Sequence, residues 1–268
     1  MKWTKKFLLT VSSIGIFGGF FGGLLGIGGS FLVIPFLIGI LRLSPHKAHA
    51  TALPVAFGSG VAALVFYISS GYINVSISIQ VMIGCLAGVI IGTKLMKFIK
   101  GKMLSFLFGI FLLLLACAYL FPINSTSLDD YHTTVFTLFS SIILGLIAGL
   151  ASGLFGAGGG TIMVPGLVLL LQIGEHMAQG ISLLAVIPTT ILGTWLQYKE
   201  NHLSMDVAPL LTLTACIGGI AGGFTAMMTD GFILRGLLVL ALLYIGIQNL
   251  IKNYPGKKLS SGEAAKTN

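Results

Sequence analysis

The sequence predicts an all-α polytopic membrane protein. It reads as two inverted repeats of about five membrane segments each, with a short, broken helix after a Gly-rich loop in each repeat. Three observations carry this. Of 268 residues, 56% are hydrophobic and only 8% are charged, against about a quarter charged in an ordinary soluble domain, too few to cover a globule in water. Apolar runs of about 20 residues, long enough to span a bilayer as helix, recur along nearly the whole chain. The sequence also repeats itself at an offset of 130 positions.

That offset aligns residues 15–37 with 145–167 without a gap, with nine identities in 23 positions. Gly15, Gly19, Gly23, Leu24, Gly26, Gly28, Gly29, Pro35 and Leu37 fall on Gly145, Gly149, Gly153, Leu154, Gly156, Gly158, Gly159, Pro165 and Leu167. It also sets His46 on His176, Ala48 on Ala178 and Leu53 on Leu183. The landmarks keep one order: a helix with Gly every fourth residue, a Gly cluster, an apolar stretch with Pro, then a His before the next helix. The chain divides accordingly into a first transmembrane repeat (1–122), an extracytoplasmic linker (123–133), a second repeat (134–252) and a cytoplasmic tail (253–268).

In the first half the apolar segments run 7–27, 31–41, 48–70, 75–93 and 103–121; in the second, 134–156, 161–172, 178–198, 207–229 and 232–251. The first follows Lys2, Lys5 and Lys6 and superficially resembles a secretory leader. It lacks a small-x-small cleavage site and has a copy at mid-chain, which a removable leader would not. The second segment of each half is short. About 12 residues of helix reach about 18 Å, less than the roughly 30 Å hydrocarbon core. Glycines at four-residue spacing in the first and fourth segments (Gly15, Gly19, Gly23; Gly145, Gly149, Gly153; Gly84, Gly88, Gly92) read as close helix packing.

Whether the short segments count as crossings sets the relative orientation of the halves, and charge decides it. If they count, the halves run in opposite senses. With the N-terminus inside, the cytoplasmic side collects Lys2, Lys5, Lys6, Arg42, Lys47, Lys94, Lys97, Lys100, Lys102, Lys199, Lys252, Lys257, Lys258 and Lys266. The outer side then holds Arg235, a split of 14 to 1. If each short segment merges with its predecessor, the halves run parallel and the best split is 8 to 7. Lys and Arg concentrate in cytoplasmic loops, so the first topology is selected, with both termini in the cytoplasm. Asp129, Asp130, Glu175 and Asp230 then fall in outer loops. Inverted repeats with a midplane site are a recurring plan of secondary transporters, although a fold alone does not specify activity.

The candidate substrate site follows from the Gly clusters, Gly26-Ile27-Gly28-Gly29-Ser30 and Gly156-Ala157-Gly158-Gly159-Gly160-Thr161. Glycine permits unwound backbone, which at membrane depth must line a polar cavity or be buried in protein. The short helix that follows presents free N–H groups and its positive dipole end to an anion. In an inverted repeat the two short helices point at each other, and an anion between them needs no buried Lys or Arg. Gly28, Gly29, Ser30, Gly158, Gly159, Gly160 and Thr161 are the binding candidates, with Thr51 and Ser182 on the next helix of each half. Ser59, Thr189, Thr190, Thr194 and Gln197 either face a cavity or bond a neighbouring helix. His46 and His176, in opposite-facing edge loops, either couple protons or are simply solvated. Lys94 to Lys102 and Lys252 to Lys258 read as orientation signals beside anionic lipid.

Other classes are disfavoured. The net charge of +8 sits in short loops and tails, with no basic aromatic face for nucleic acid. Cys85, Cys117 and Cys216 are widely spaced within apolar runs and read as small core hydrophobes; no CxxC or Cys/His cluster offers a metal site, and no cofactor is expected. The spans carry almost no ionisable side chain for acid–base or nucleophilic catalysis. The Gly clusters lack the strand and acidic residue of a dinucleotide fingerprint, and no P-loop is present to hydrolyse ATP.

The stretches GGLLGIGGSFLVIPFL and SGLFGAGGGTIMVPGLVLL resemble the paired motifs of the TauE/SafE sulfite exporter family, also called the 4-toluene sulfonate uptake permeases. HKAHATALPVAF and HMAQGISLLAVIPTTILG resemble the helix that follows each motif there. The resemblance covers roughly residues 8–252 and implies a multi-pass cytoplasmic-membrane transporter of small sulfur-containing anions such as sulfite or sulfoacetate. Carried onto this chain, its motif glycines are Gly26, Gly28, Gly29, Gly156, Gly158 and Gly159. The chain departs from the family at Ile181, where the second repeat often has Thr. The expected activity is a secondary transporter of sulfite or a sulfonate, driven by an ion gradient or the membrane potential, with proton or ion coupling and homo-oligomerisation both compatible. An anion channel and a non-transporting membrane scaffold or assembly factor are the alternatives.

Overall fold

The computed structural model describes residues 5–120 and 134–253. The linker 123–133 and nearly all of the tail 253–268 lie outside the described residues, with Asp129, Asp130, Lys257, Lys258 and Lys266. Among the described residues the chain forms ten helices: α1 Lys5–Leu24, α2 Ser30–Gly39, α3 Pro45–Ser69, α4 Val75–Met96, α5 Gly101–Leu120, α6 Thr134–Phe155, α7 Gly160–Leu171, α8 Glu175–Lys199, α9 Ala208–Met227 and α10 Gly231–Asn253. Eight are long and apolar enough to cross a bilayer. The 10-residue α2 and 12-residue α7 are not; at 1.5 Å per residue they rise about 15 and 18 Å, half of a hydrocarbon core. Large apolar side chains such as Leu9, Val65, Leu114, Ile217 and Leu240 point outward, as lipid-facing surface does.

The glycine rows bring helices together backbone on backbone. A Cβ on Gly84, Gly88 or Gly92 of α4 would stand 2.1, 2.2 and 2.1 Å from the carbonyl oxygens of Ile142, Leu146 and Leu150 on α6. Gly145, Gly149 and Gly153 of α6 press back on Val81, Cys85 and Val89. α1 and α9 interlock in the same way, Gly15 against Leu211, Gly19 against Ala215 and Gly23 against Gly219. Lipid tails give apolar helices little hydrophobic reason to associate, so van der Waals contact of this closeness is what holds them.

Both interlocks pair rising numbers with rising numbers, so α1 runs parallel to α9 and α4 to α6. α3 joins the first set, Gly58 facing Thr212 and Ala63 facing Gly223. α8 joins the second, Gly193 facing Val89 and Gln197 reaching Met96. The sets meet where α3 and α8 cross antiparallel, Tyr67 with Gln179 and Leu53 with Gly193. α5 and α10 pair antiparallel at the periphery, Gly109 with Asn249 and Tyr119 with Arg235. α2 folds back along α1, Phe36 to Phe17 and Val33 to Gly18. α7 folds back along α6, Gly166 to Leu144 and Gly159 to Ala148.

The backbone carries the 130-residue offset as well. The ten described residues with positive φ form five pairs at that spacing: Gly26/Gly156, Gly28/Gly158, Gly29/Gly159, Arg42/Gln172 and Gly71/Asn201. One end of the bundle gathers the starts of α1, α3 and α5 and the ends of α4, α8 and α10, with Lys97 paired to Glu200 at 2.6 Å. The other end holds Arg235, which donates to the Tyr119 carbonyl, and Glu175, which accepts from the Tyr119 hydroxyl. Cys85 is buried and Cys216 partly so, but Cys117 is exposed. The expectation of a core residue fails there because α5 lies at the edge of the bundle.

Candidate functional site

The two Gly-rich loops, 130 residues apart in sequence, touch each other near the middle of α3. A Cβ on Gly28 would stand 2.7 Å from the Ala56 Cβ; one on Gly158 would stand 2.9 Å from the same atom and 3.1 Å from Ser30 Oγ. A Cβ on Gly160 would fall 2.6 Å from the Ile27 Cα. Ser59 Oγ donates to the Gly28 carbonyl at 2.8 Å and secures the first loop to α3. Gly26 rests on Gln179 of α8, and Gly156 rests on His49 of α3.

α2 and α7 start from this junction with their first turns uncapped. Their N-caps, Gly29 at φ 68 and Gly159 at φ 80, have left-handed backbone and no side chain to accept a bond; a Cβ would clash with this geometry as well as with the neighbours. The first-turn N–H groups of both helices, those of Ser30 and Phe31 and of Gly160 and Thr161, have no carbonyl one turn earlier within their own helix to bond. All of these residues are buried. Ser30 Oγ, Thr161 Oγ1 and Ser182 Oγ are buried without a partner among the described residues. Native proteins rarely leave buried polar groups unpaired, at about 1–3 kcal/mol each. Two of the hydroxyls without a partner, those of Ser30 and Thr161, stand at the two helix N-termini with no Lys or Arg beside them, an arrangement suited to an anion held by hydrogen bonds. Among the described residues no cluster of His, Cys, Asp or Glu has the makings of a metal site.

Of the residues expected from the sequence, Gly28, Gly29, Ser30, Gly158, Gly159, Gly160 and Thr161 meet at this junction. Ser182 lies one turn before Val186, the α8 counterpart of Ala56. Thr51 is committed elsewhere: its Oγ1 accepts from the Ser204 N–H at 3.1 Å and ties the α8–α9 connection to α3. His46 and His176 belong to the first turns of α3 and α8 rather than to loops, and neither is simply solvated. His46 Nε2–H donates to the Ile99 carbonyl, and His176 Nε2–H lies between the carbonyls of Ala226 and Thr229. The ring of His46 faces His202 and that of His176 stacks on Tyr72, again residues 130 apart.

Three buried polar residues around the junction, His49, Tyr67 and Gln179, escape the reading from sequence that singled out Ser59. The signal that finds them is a polar side chain inside an apolar span, examined at the 130-residue offset, where His49 falls on Gln179. Gln197 turns out to link surface and interior. His202 Nδ1–H donates to its Oε1 at 3.0 Å, and its Nε2 donates to the Gly153 carbonyl at 3.2 Å. Burial lowers the His202 pKa; nearby His46 pushes it the same way, Glu200 opposes, and Lys97 adds to the lowering.

The sequence profile of the sulfite exporter TauE/SafE family matches residues 2–119 and 141–267. The chain is similar to the probable membrane transporter protein YunE of Bacillus subtilis, 24% identical over 257 residues, 88% of this chain and 94% of that one. A probable membrane transporter protein of Xylella fastidiosa is 31% identical over 222 residues, 82% of this chain and 83% of that one. One from Methanocaldococcus jannaschii is 31% identical over 207 residues, 74% and 76% of the two chains. No solved structure matches the chain.

Proposed function

The chain belongs to the sulfite exporter TauE/SafE family, whose relatives are named as membrane transporters, and we propose that it is a secondary transporter moving a small anion, sulfite or an organosulfur compound such as a sulfonate, across the cytoplasmic membrane. The observation that carries this reading is the meeting of two helix N-termini without side-chain caps at Ala56, with the buried hydroxyls of Ser30 and Thr161 lacking a partner among the described residues. Sulfite and sulfonates offer several oxygens at one centre, and such a cradle of donors suits them. Ser182, one turn before Val186 on α8, offers a further buried hydroxyl without a partner among the described residues; Thr51 serves the scaffold.

In this reading the halves 1–122 and 134–252 are inverted repeats, which the opposite running senses of α1, α3, α9 and of α4, α6, α8 support. Both termini are cytoplasmic, because the cationic end of the bundle faces the cytoplasm. Inverted repeats put the substrate at the repeat interface and let one half rock against the other. An ion gradient or the membrane potential supplies the energy. The test is flux of radiolabelled sulfite, sulfoacetate, thiosulfate and taurine in proteoliposomes, with and without an imposed pH gradient. Saturable flux of at least one anion is expected; absence of flux for all four, with protein present in the vesicles, would sink the reading.

A further inference from the structure

His49 is a fully buried imidazole beside the α6–α7 loop. Its exposure is 0%, its carbonyl and Cα lie against Gly156, and its Nδ1 is 2.5 Å from the carbonyl oxygen of Phe155, the residue just before the loop. A carbonyl only accepts, so Nδ1 carries the hydrogen and, in the neutral ring, Nε2 is a bare lone pair. That nitrogen is buried and has no partner. Phe108 packs edge-on against the ring, centroids 5.2 Å apart. The counterpart in the other half, Gln179, rests its Cβ and Cγ against Gly26, and its Oε1 accepts from the Tyr67 hydroxyl at 3.0 Å. One half therefore seats a satisfied amide where the other seats an imidazole with an open nitrogen.

Resting on the transport reading above, we propose that His49 is the proton site of the carrier. Its Nε2 takes a proton from water on one side of the membrane, and the N–H⁺ so formed donates to the anion held at the start of α7. On the other side the N–H bond breaks and the proton returns to water as the anion leaves, so one proton moves with each anion. The coupling has a plain physical origin. A buried imidazolium without a counter-charge is expensive, and so is an anion among neutral dipoles; together they neutralise each other. Among the described residues, those packed against the ring bring no competing charge. Phe108 of α5 and Phe155 of α6 face the ring, and α7 carries no ionisable side chain. The ionisable neighbour is His46, one turn earlier on α3, with Lys47, Lys100 and Lys102 beyond it at the cationic end.

The test uses the full chain in proteoliposomes, with radiolabelled sulfite outside and a pH-sensitive dye inside, at matched pH from about 5 to 8. His49→Asn keeps a donor for the Phe155 carbonyl and removes the titrating nitrogen. The wild type is expected to move protons with sulfite, with one limb of its pH profile changing by up to about tenfold per pH unit. In His49→Asn the proton signal disappears and the ratio of mutant to wild-type flux follows that limb; titration of sulfite itself is common to both proteins and cancels. A His49→Asn protein that keeps the wild-type profile and proton signal overturns the proposal, whereas a wild type that moves none of sulfite, sulfoacetate, thiosulfate and taurine sinks the transport reading instead; where another of the four is the one transported, the same comparison is made with that anion. Should His49→Asn fail to reach the membrane, ring-¹⁵N-histidine spectra of the detergent-solubilised wild type decide. The His49 Nε2 resonance, assigned with His49→Gln, must move from a bare to a protonated position as sulfite is added. An Nε2 that stays bare while sulfite saturates the protein overturns the proposal as well.

Discussion

Tyr67 on α3 and Gln197 on α8, 130 positions apart, each reach a glycine carbonyl one turn before a Gly-rich loop: Tyr67 Oη, whose single hydrogen is shared between Gly23 and Gln179 Oε1, lies 3.2 Å from the first, and Gln197 Nε2 donates to Gly153 at 3.2 Å. Gly23 and Gly153 are themselves 130 apart. A phenol in one half and an amide in the other thus make the same tie between the central helix and the helix that leads into the loop. Tyr67→Phe leaves Gln179 Oε1 and the Gly23 carbonyl without this donor in a buried place, so it should cost about 1–3 kcal/mol. Gln197→Leu should cost a similar amount. Thermal unfolding in detergent checks both, and an unshifted midpoint in either would remove the tie from the list of what holds the fold.

Gly158→Ala should abolish transport. The new Cβ would stand 2.9 Å from the Ala56 Cβ and 3.1 Å from Ser30 Oγ, at φ 74. Left-handed backbone costs a non-glycine residue about 1–2 kcal/mol, and overpacking adds about 1–3. Adding Ala56→Gly removes the shorter of the two contacts and leaves the one with Ser30 Oγ and the backbone strain, so the double variant should regain part of the flux at equal abundance. Flux in Gly158→Ala equal to wild type would place the substrate elsewhere.

Thr161→Val deletes a buried hydroxyl that bonds to no described residue. Stability should therefore hold, while affinity for the transported anion falls by about 1–3 kcal/mol, the size of a lost bond to a charged group. Lys97→Gln removes a half-exposed ion pair with Glu200, worth at most about 1 kcal/mol to stability, and should leave affinity unchanged. Affinity lost only in the Lys97 variant would point to a cationic mouth as the selecting element.

The lowered pKa of His202 predicts the direction of an acid effect. A His that binds protons more weakly when folded is protonated first in the unfolded chain, so stability declines as pH falls below the unfolded value of about 6.5. The decline ends below the folded value. Unfolding midpoints measured from about pH 8 to pH 5 should fall, and His202→Gln should fall less. An identical slope in that variant would shift the cause to another group.

Reporter fusions give the topology directly. One at Ser127 should read outside and one after Asn268 inside; the same reading from both would end the inverted arrangement.

What the sequence determined by itself is everything that depends on local composition. The ten segments, the two too short to span, the glycine rows and the paired Gly clusters follow from hydropathy, length and an internal repeat, because a bilayer imposes those rules residue by residue. Tertiary structure alone decided which way each helix turns its polar residues. Thr51 and Ser30 look alike in an apolar run, yet one hydroxyl is taken by the Ser204 N–H and the other is free against Gly158. The sequence singled out His46 and not His49, yet His46 is satisfied by the Ile99 carbonyl while His49 keeps an open nitrogen beside the loop. A hydrogen bond between residues about 100 positions apart depends on helix rotation and on backbone contacts set by glycines elsewhere, and hydropathy carries no information about either.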